Sequence, residues 1–252
     1  RLAALGPDAI IVQDPGIIRM ARNYFPELAL HASTQMGIHN TPGVATAARL
    51  GIRRVILERQ MTLAEVAAVA ANSPVELEVF IHGSLCTSLS GRCLFSSWFG
   101  GESGNRGRCK QPCRRSYRME NADGNGFWFS MRDLDGLALV EEFRRLRIAS
   151  LKIEGRLRSP DYVWKSVRAY RMVIDDPSEE TYAAARKLLD SAVARNPGGG
   201  FYRTAFNRLT APHTPGVFGS PVGRVLRAGP DGLQLELTGR IHLGDQIGRA
   251  HV

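Results

Sequence analysis

The sequence predicts an α/β protein: a TIM-like (β/α)8 barrel shortened at its N-terminal side to about six strands, followed by the start of a small β-barrel-like module. Three observations predict it. Short apolar or β-branched runs alternate with helix-like stretches, and the first four begin roughly 20 to 25 residues apart, the spacing of βα units around a parallel sheet. Polar residues follow each run, where barrel proteins carry their working groups. Past the breaker Asn196-Pro197-Gly198-Gly199-Gly200 the pattern changes to strand alternation about a turn.

The expected strands are Ala9–Val12, Leu28–His31, Arg54–Leu57, Leu77–Ile81, Phe127–Phe129 and Ser150–Ile153. They end on Gln13-Asp14, Ser33-Thr34-Gln35, Glu58-Arg59, His82-Gly83-Ser84, Arg132-Asp133 and Glu154-Gly155-Arg156. Any one of these taken singly reads more readily as an ordinary strand-end polar group; six in succession favour one shared mouth. Between the strands, Thr41-Pro42 opens an Ala-rich helix closed by Gly51, and Thr62 with Glu65 forms a capping-box pattern. Ser159-Pro160 starts a helix to about Ile174, and another spans Glu179–Ala194. Val222–Leu226 and Leu233–Leu237 flank Gly229-Pro230-Asp231-Gly232 as a β-hairpin.

The expected organisation is a barrel domain at 1–195 with an insertion at 84–118, a linker at 196–214, and a partial β module at 215–246. The chain starts at Arg1 almost inside a strand, so a missing natural start is expected. Ile247-Gly248-Arg249-Ala250-His251-Val252 is what a common sequencing adapter encodes when read in frame, and His251 is therefore expected to carry no function.

Apolar residues at 44% and charged residues at 23% are globular values, which excludes disordered and collagen-like classes. No window approaches the roughly 20 apolar residues of a membrane span, and a cytoplasmic location is expected. A net charge of +9 and a pI near 9.9 suit a polyanionic partner without requiring one.

All four cysteines fall between Cys86 and Cys113, spaced C-x6-C-x15-C-x3-C, inside an insertion that stretches one strand spacing to about 50 residues. Two disulfides would need an oxidising compartment that nothing in the sequence supports. A structural zinc site favours two close cysteine pairs, and Cys109/Cys113 alone has that spacing. An iron–sulfur cluster also takes four thiolates and tolerates irregular spacing, and Gly83, Gly91, Gly100, Gly101, Gly104 and Gly107 supply loops whose amides can face sulfur. Residue chemistry leans to the cluster and leaves zinc open. Arg106, Arg108, Lys110, Arg114, Arg115 and Arg118 add six cations around Tyr117, following Trp98-Phe99. They could follow a phosphate backbone or offset a thiolate cluster.

The run EVFIHGSLCTSLSGRCLFSSWFGGESGNRGRCKQPCR from Glu78 to Arg114, with LKIEGRLRSPDYV from Leu151 to Val163, closely resembles peptidase family U32, the collagenase-like proteins. IVQDPG, HASTQM and ILERQM look like the same family's strand ends, so the resemblance covers roughly residues 8–175. It implies a barrel-type catalytic domain and two competing activities. One is the peptidase activity of the family's name. The other is oxygen-independent hydroxylation of a pyrimidine in rRNA or tRNA (or of a ubiquinone precursor), with prephenate as implied hydroxyl source in the RNA-modifying types and Cys86, Cys93, Cys109 and Cys113 as ligands of a 4Fe-4S cluster.

A peptidase needs an activated nucleophile or metal-bound water. No H-E-x-x-H or G-x-S-x-G occurs, and His31 and His82 stand alone at strand ends, where a structural histidine is the commoner reading. Pairing Cys86 with His82 would leave three cysteines unexplained. The hydroxylase reading uses all four, gives the basic stretch an RNA partner, and lets Arg59, Arg106 or Arg156 bind a dicarboxylate through forked hydrogen bonds. Gln35 and Lys152 join these as candidate substrate contacts, and Glu154, His82 and Glu58 are the candidate acid/base groups; Glu154, flanked by Lys152 and Arg156, also reads as an ion-paired strand end.

Overall fold

The computed structural model describes residues 3–120, 124–192, 194–203, 208–214, 216, 223–230 and 232–241. The adapter-like hexapeptide and Asp231 of the expected turn lie outside the described residues. Four strands, β1 (Ile10–Val12), β2 (Leu30–Ala32), β3 (Arg54–Ile56) and β4 (Glu76–Ser84), run parallel in sequence order. Three helices link them: α1 (Pro15–Tyr24), α2 (Thr41–Arg49) and α3 (Leu63–Ala70).

Strand alternation separates two faces. Leu30, Ala32, Val55, Leu77, Val79 and Ile81 are at most 4% exposed and share one core with Ile18, Val44 and Val66 of the helices. Each buried Leu, Val or Ile side chain among them contributes about 1.5–3 kcal/mol by leaving water. The other face carries His31, Arg54, Glu76, Glu78 and Phe80, so its spine is charged rather than aliphatic.

The helices begin where local chemistry starts them. Asp14 accepts from Ile17 N–H at 3.0 Å ahead of Pro15, and Thr62 and Glu65 make the reciprocal capping box. The α2 cap is Asn40, one residue before the expected Thr41; its Oδ1 accepts from Gly43 N–H at 2.8 Å. An amide side chain reaches the third residue on, whereas Thr41 already has helical backbone.

Beyond β4 the chain makes the cysteine-bearing insertion, with one helical turn, α4 (Phe95–Trp98), and a small hairpin of β5 (Tyr117–Arg118) and β6 (Asn125–Gly126). The expected strand at Phe127–Phe129 is a turn. Its aromatic side chains serve the insertion, and the strand forms later as β7 (Asp133–Asp135), which pairs antiparallel with the end of β4. Thus Arg132-Asp133 starts a strand instead of ending one.

Helix α5 (Val140–Arg145) leads to β8 (Ser150–Glu154), which is parallel to β4, and α6 (Pro160–Asp175) packs with α7 (Glu179–Asp190). The breaker contributes β9 (Pro197–Gly198), paired with β7, and opens α8 (Gly200–Arg203). A separate hairpin, β10 (Gly223–Gly229) and β11 (Gly232–Leu237), follows. The result is a mixed α/β protein whose main sheet runs β1-β2-β3-β4-β7-β9, with β8 also on β4. No helix among the described residues is long and apolar enough to cross a membrane.

Candidate functional site

The insertion leaves the C-terminal end of β4 and is fastened back onto the ends of its neighbours. Glu58, 4% exposed just beyond β3, accepts Ser90 N–H at 3.1 Å on one oxygen and Ser90 Oγ–H at 3.0 Å on the other. Thr34 Oγ1 donates to the Leu57 carbonyl at 3.2 Å and lies 3.4 Å from Ser90 Oγ. Gly91, at φ +76°, lies so close to β2's end that a Cβ there would sit 2.1 Å from the Gln35 carbonyl oxygen. On the far side Arg156 Nη1 donates to the Gly107 carbonyl at 2.9 Å, and Glu154 Oε1 accepts Arg156 N–H at 3.2 Å. Gly83, at φ +102°, allows β4 to pass the Glu154 carbonyl, which a Cβ would approach to 2.4 Å.

Beneath the cysteines lies a buried charge network. Asp133, 2% exposed, pairs with Arg158 and, at 3.5 Å, with Arg195. Both arginines also donate to Ser84 Oγ at 3.0 Å. Arg114 donates to the Leu85 carbonyl at 2.8 Å, to Ser130 Oγ at 3.1 Å and to the Met131 carbonyl. The two residues before Cys86 are therefore held by three guanidinium groups, one of them adjacent to Cys113.

All four cysteines are free and partly buried. Cys109 Sγ accepts Gln111 N–H at 3.3 Å and is approached by Ser96 Oγ at 3.7 Å; Ser96 Oγ also accepts Lys110 N–H at 3.0 Å. Asn105 Nδ2 donates to the Cys93 carbonyl at 3.3 Å. Burial pushes the Cys113 thiol up to about 11; Arg114 opposes this, and the neighbouring thiols Cys86, Cys109 and Cys93 add to it. Among the described residues no three His, Cys, Asp or Glu side chains stand in a ready-made metal-binding group. The thiols thus share one anchored loop and feel one another electrostatically. In number and kind the donors suit a four-thiolate metal centre, with an amide contact at Cys109, and a bound cation would offset the burial that raises Cys113.

The other candidate residues fall into two groups. Glu58, Gln35, Glu154 and Arg156 gather at the insertion, with Arg106 exposed on it. Lys152 and Arg59 lie on the charged face of the sheet. Lys152 donates to Glu78 at 2.9 Å, beside the Arg54–Glu76 pair at 2.7 Å. Burial would raise Glu78, but Lys152 and Arg54 hold its carboxyl below the usual range. Arg59 stacks on Phe80 at 4.6 Å, and Lys152 lies 5.9 Å from the same ring.

His82 is 7% exposed and enclosed by Tyr162 and Tyr170, whose ring centroids lie 5.8 and 5.4 Å away; its Nδ1 is 3.2 Å from Tyr170 Oη. Burial lowers its pKa despite the nearby Asp135 and Asp133 charges. Among the polar strand ends, Asp14 and Ser33 act as caps. Sequence reasoning missed Ser90, Arg158 and Arg195. Arg158 lies in the quoted LKIEGRLRSPDYV run, yet no local pattern names a partner 25 residues earlier.

A mainly parallel sheet flanked by helices, with one loop that carries four free cysteines fastened across its strand ends, defines an α/β protein with a cysteine-rich insertion. The chain belongs to peptidase family U32, whose model matches residues 1–209. A tRNA hydroxylation protein P of Helicobacter pylori is 32% identical over 229 residues, covering 83% of this chain and 54% of that protein. The 23S rRNA 5-hydroxycytidine synthase of Escherichia coli is 30% identical, covering 96% of this chain and 39% of that protein. A collagenase of Porphyromonas gingivalis is 28% identical, covering 95% and 64%. The chain spans about half the length of the curated relatives it matches.

Proposed function

We propose that this chain carries the cysteine-loop portion of an RNA-modifying enzyme that hydroxylates a pyrimidine at its 5-position in rRNA or tRNA, without molecular oxygen, in a cytoplasmic setting. The observation that carries this reading is the docked loop. Four free cysteines are held at the strand ends by Glu58–Ser90 on one side and Arg156–Gly107 on the other. The names of the RNA-hydroxylating relatives support the substrate class. The sheet is read as an arc of a (β/α)8 barrel, with residues 1–195 as its domain and the β10/β11 hairpin as part of an appended module.

Cys86, Cys93, Cys109 and Cys113 would hold a 4Fe-4S cluster, with zinc as the alternative metal. When bound, such a cluster supplies one-electron redox chemistry. Arg59, Arg106 or Arg156 would supply the forked hydrogen bonds to a dicarboxylate hydroxyl source such as prephenate, with Gln35 and Lys152 as further candidate contacts and Glu58 or Glu154 as the candidate proton acceptor. The peptidase reading asks His82 to activate Cys86, but that imidazole is enclosed by tyrosines and hydrogen-bonded to one of them.

Anaerobically purified protein, extended to the length of its relatives, is expected to be brown, with about four iron and four sulfide per chain. Nucleosides from RNA incubated with it should gain one oxygen on a pyrimidine. Colourless zinc-loaded protein, or unaltered nucleosides beside casein or collagen cleavage, would overturn the reading.

A further inference from the structure

The insertion exposes aromatic surface that the protein's own core leaves uncovered. Trp98 is 82% exposed, Phe99 48% and Phe129 45%. They are not scattered. Half-buried Phe95 and Tyr117 stack at 6.1 Å and form a base; Phe129 meets both edge-on, at 6.0 and 5.6 Å. Phe99 packs on Phe95 at 5.3 Å, and Trp98 on Phe99 at 5.6 Å. Trp128 Nε1–H ties the base down through the Tyr117 carbonyl at 2.8 Å. The shelf is therefore preassembled, and its outer rings lose little freedom on binding.

Charge selects the occupant. From Cys86 to Arg118 the sequence holds seven cations and one carboxylate, Glu102, which lies 3.7 Å from Arg108. Arg92, Lys110, Arg115 and Arg118 are exposed and flank the aromatic residues in the chain. A second copy of this chain would bring the same positive charge against it. A polyanion whose units present flat faces fits both features, and a duplex hides those faces.

We propose that this shelf, with Trp98 as its outermost ring, stacks unpaired nucleobases of a single-stranded RNA segment. The inference rests on the RNA reading for its choice of nucleic acid. Ser96, on the same turn, points inward to Cys109 while Trp98 faces solvent, so a stacked base would lie on the outer side of the loop that carries the thiols.

The test uses the full chain and three fluorescein-labelled probes: an oligouridine of about twelve nucleotides, the same strand without bases, and an RNA duplex of equal length. Trp98→Ala should weaken oligouridine binding roughly 5- to 100-fold. It should leave the abasic strand and the duplex unchanged, and Trp98→Phe should keep most of the affinity. Wild-type affinity in Trp98→Ala, equal loss on the abasic strand, or no oligouridine binding by the wild type each overturns the proposal. Stacking without any hydroxylated nucleoside would sink the enzymatic reading alone. Hydroxylation with KM and RNA affinity unmoved by Trp98→Ala would sink this one alone.

Discussion

Ser90 presents both its backbone N–H and its hydroxyl to the single carboxylate of Glu58, one to each oxygen, across 32 residues of chain. A buried acceptor that holds two donors from one loop residue is a fastener as well as a candidate base.

The two roles separate under Glu58→Gln. An amide of the same shape has one acceptor oxygen where the carboxylate has two, so either the Ser90 N–H or the Arg59 N–H loses its acceptor, a loss of about 1.5–3 kcal/mol for hydrogen bonds to a charged group. A fastening role predicts that iron retention and activity fall together, and that Ser90→Ala reproduces the iron loss. Full iron content with abolished turnover would make Glu58 a proton acceptor only. Metal analysis beside a single-turnover assay reads both.

Gly91→Ala adds a methyl group 2.1 Å from the Gln35 carbonyl oxygen at φ +76°. Backbone must move, and a loss of about 2–4 kcal/mol is expected by denaturant titration. Gly100→Ala, with nothing within 4 Å of its added Cβ, is the control and should stay within about 0.5 kcal/mol.

Asp133→Ala leaves Arg158 and Arg195 facing each other and Ser84 without their shared carboxylate. Breaking a buried pair in this way costs about 3–5 kcal/mol, and urea unfolding should show it. Arg158→Met together with Asp133→Ala should recover part of the loss, because one stranded charge is removed.

His82 sets a pH dependence. Burial lowers its folded pKa below the ordinary 6.5, and burial with the Arg54 charge does the same for His31. Below pH 6.5 the unfolded chain binds protons that the fold refuses. Stability is full above about pH 6.5 and falls as pH drops from there toward the depressed folded values, by at most about 1.4 kcal/mol per pH unit for His82. His82→Gln should flatten that part of the stability–pH curve. A slope unchanged by the substitution would remove His82 as its source.

Periodicity and spacing made the first four strands legible, and cap signals the helices after the second and third of them, because each strand is a short apolar run and each of these helices is capped by its own neighbours. The fifth strand was not: Asp133-Leu134-Asp135 has one apolar residue, and its carboxylates are satisfied by Arg158, Arg186 and Arg195 from far along the chain. The Phe127–Phe129 run has the stronger strand composition, yet Phe129 belongs to the insertion's aromatic cluster. The cysteine loop was visible as crowding, whereas its anchors were not, since Ser90 and Gly107 carry no signal for partners 32 and 49 residues away.

Those two anchors also date the loop's assembly. One ties it to chain made earlier and the other to chain made later, so it cannot close on both sides until β8 and Arg156 have left the ribosome. Until then the four thiols lie on a segment secured on one side only, open to oxidation. The proposed metal centre would accordingly load late, after β4 has met β8, and chains that stall before that pairing should emerge empty.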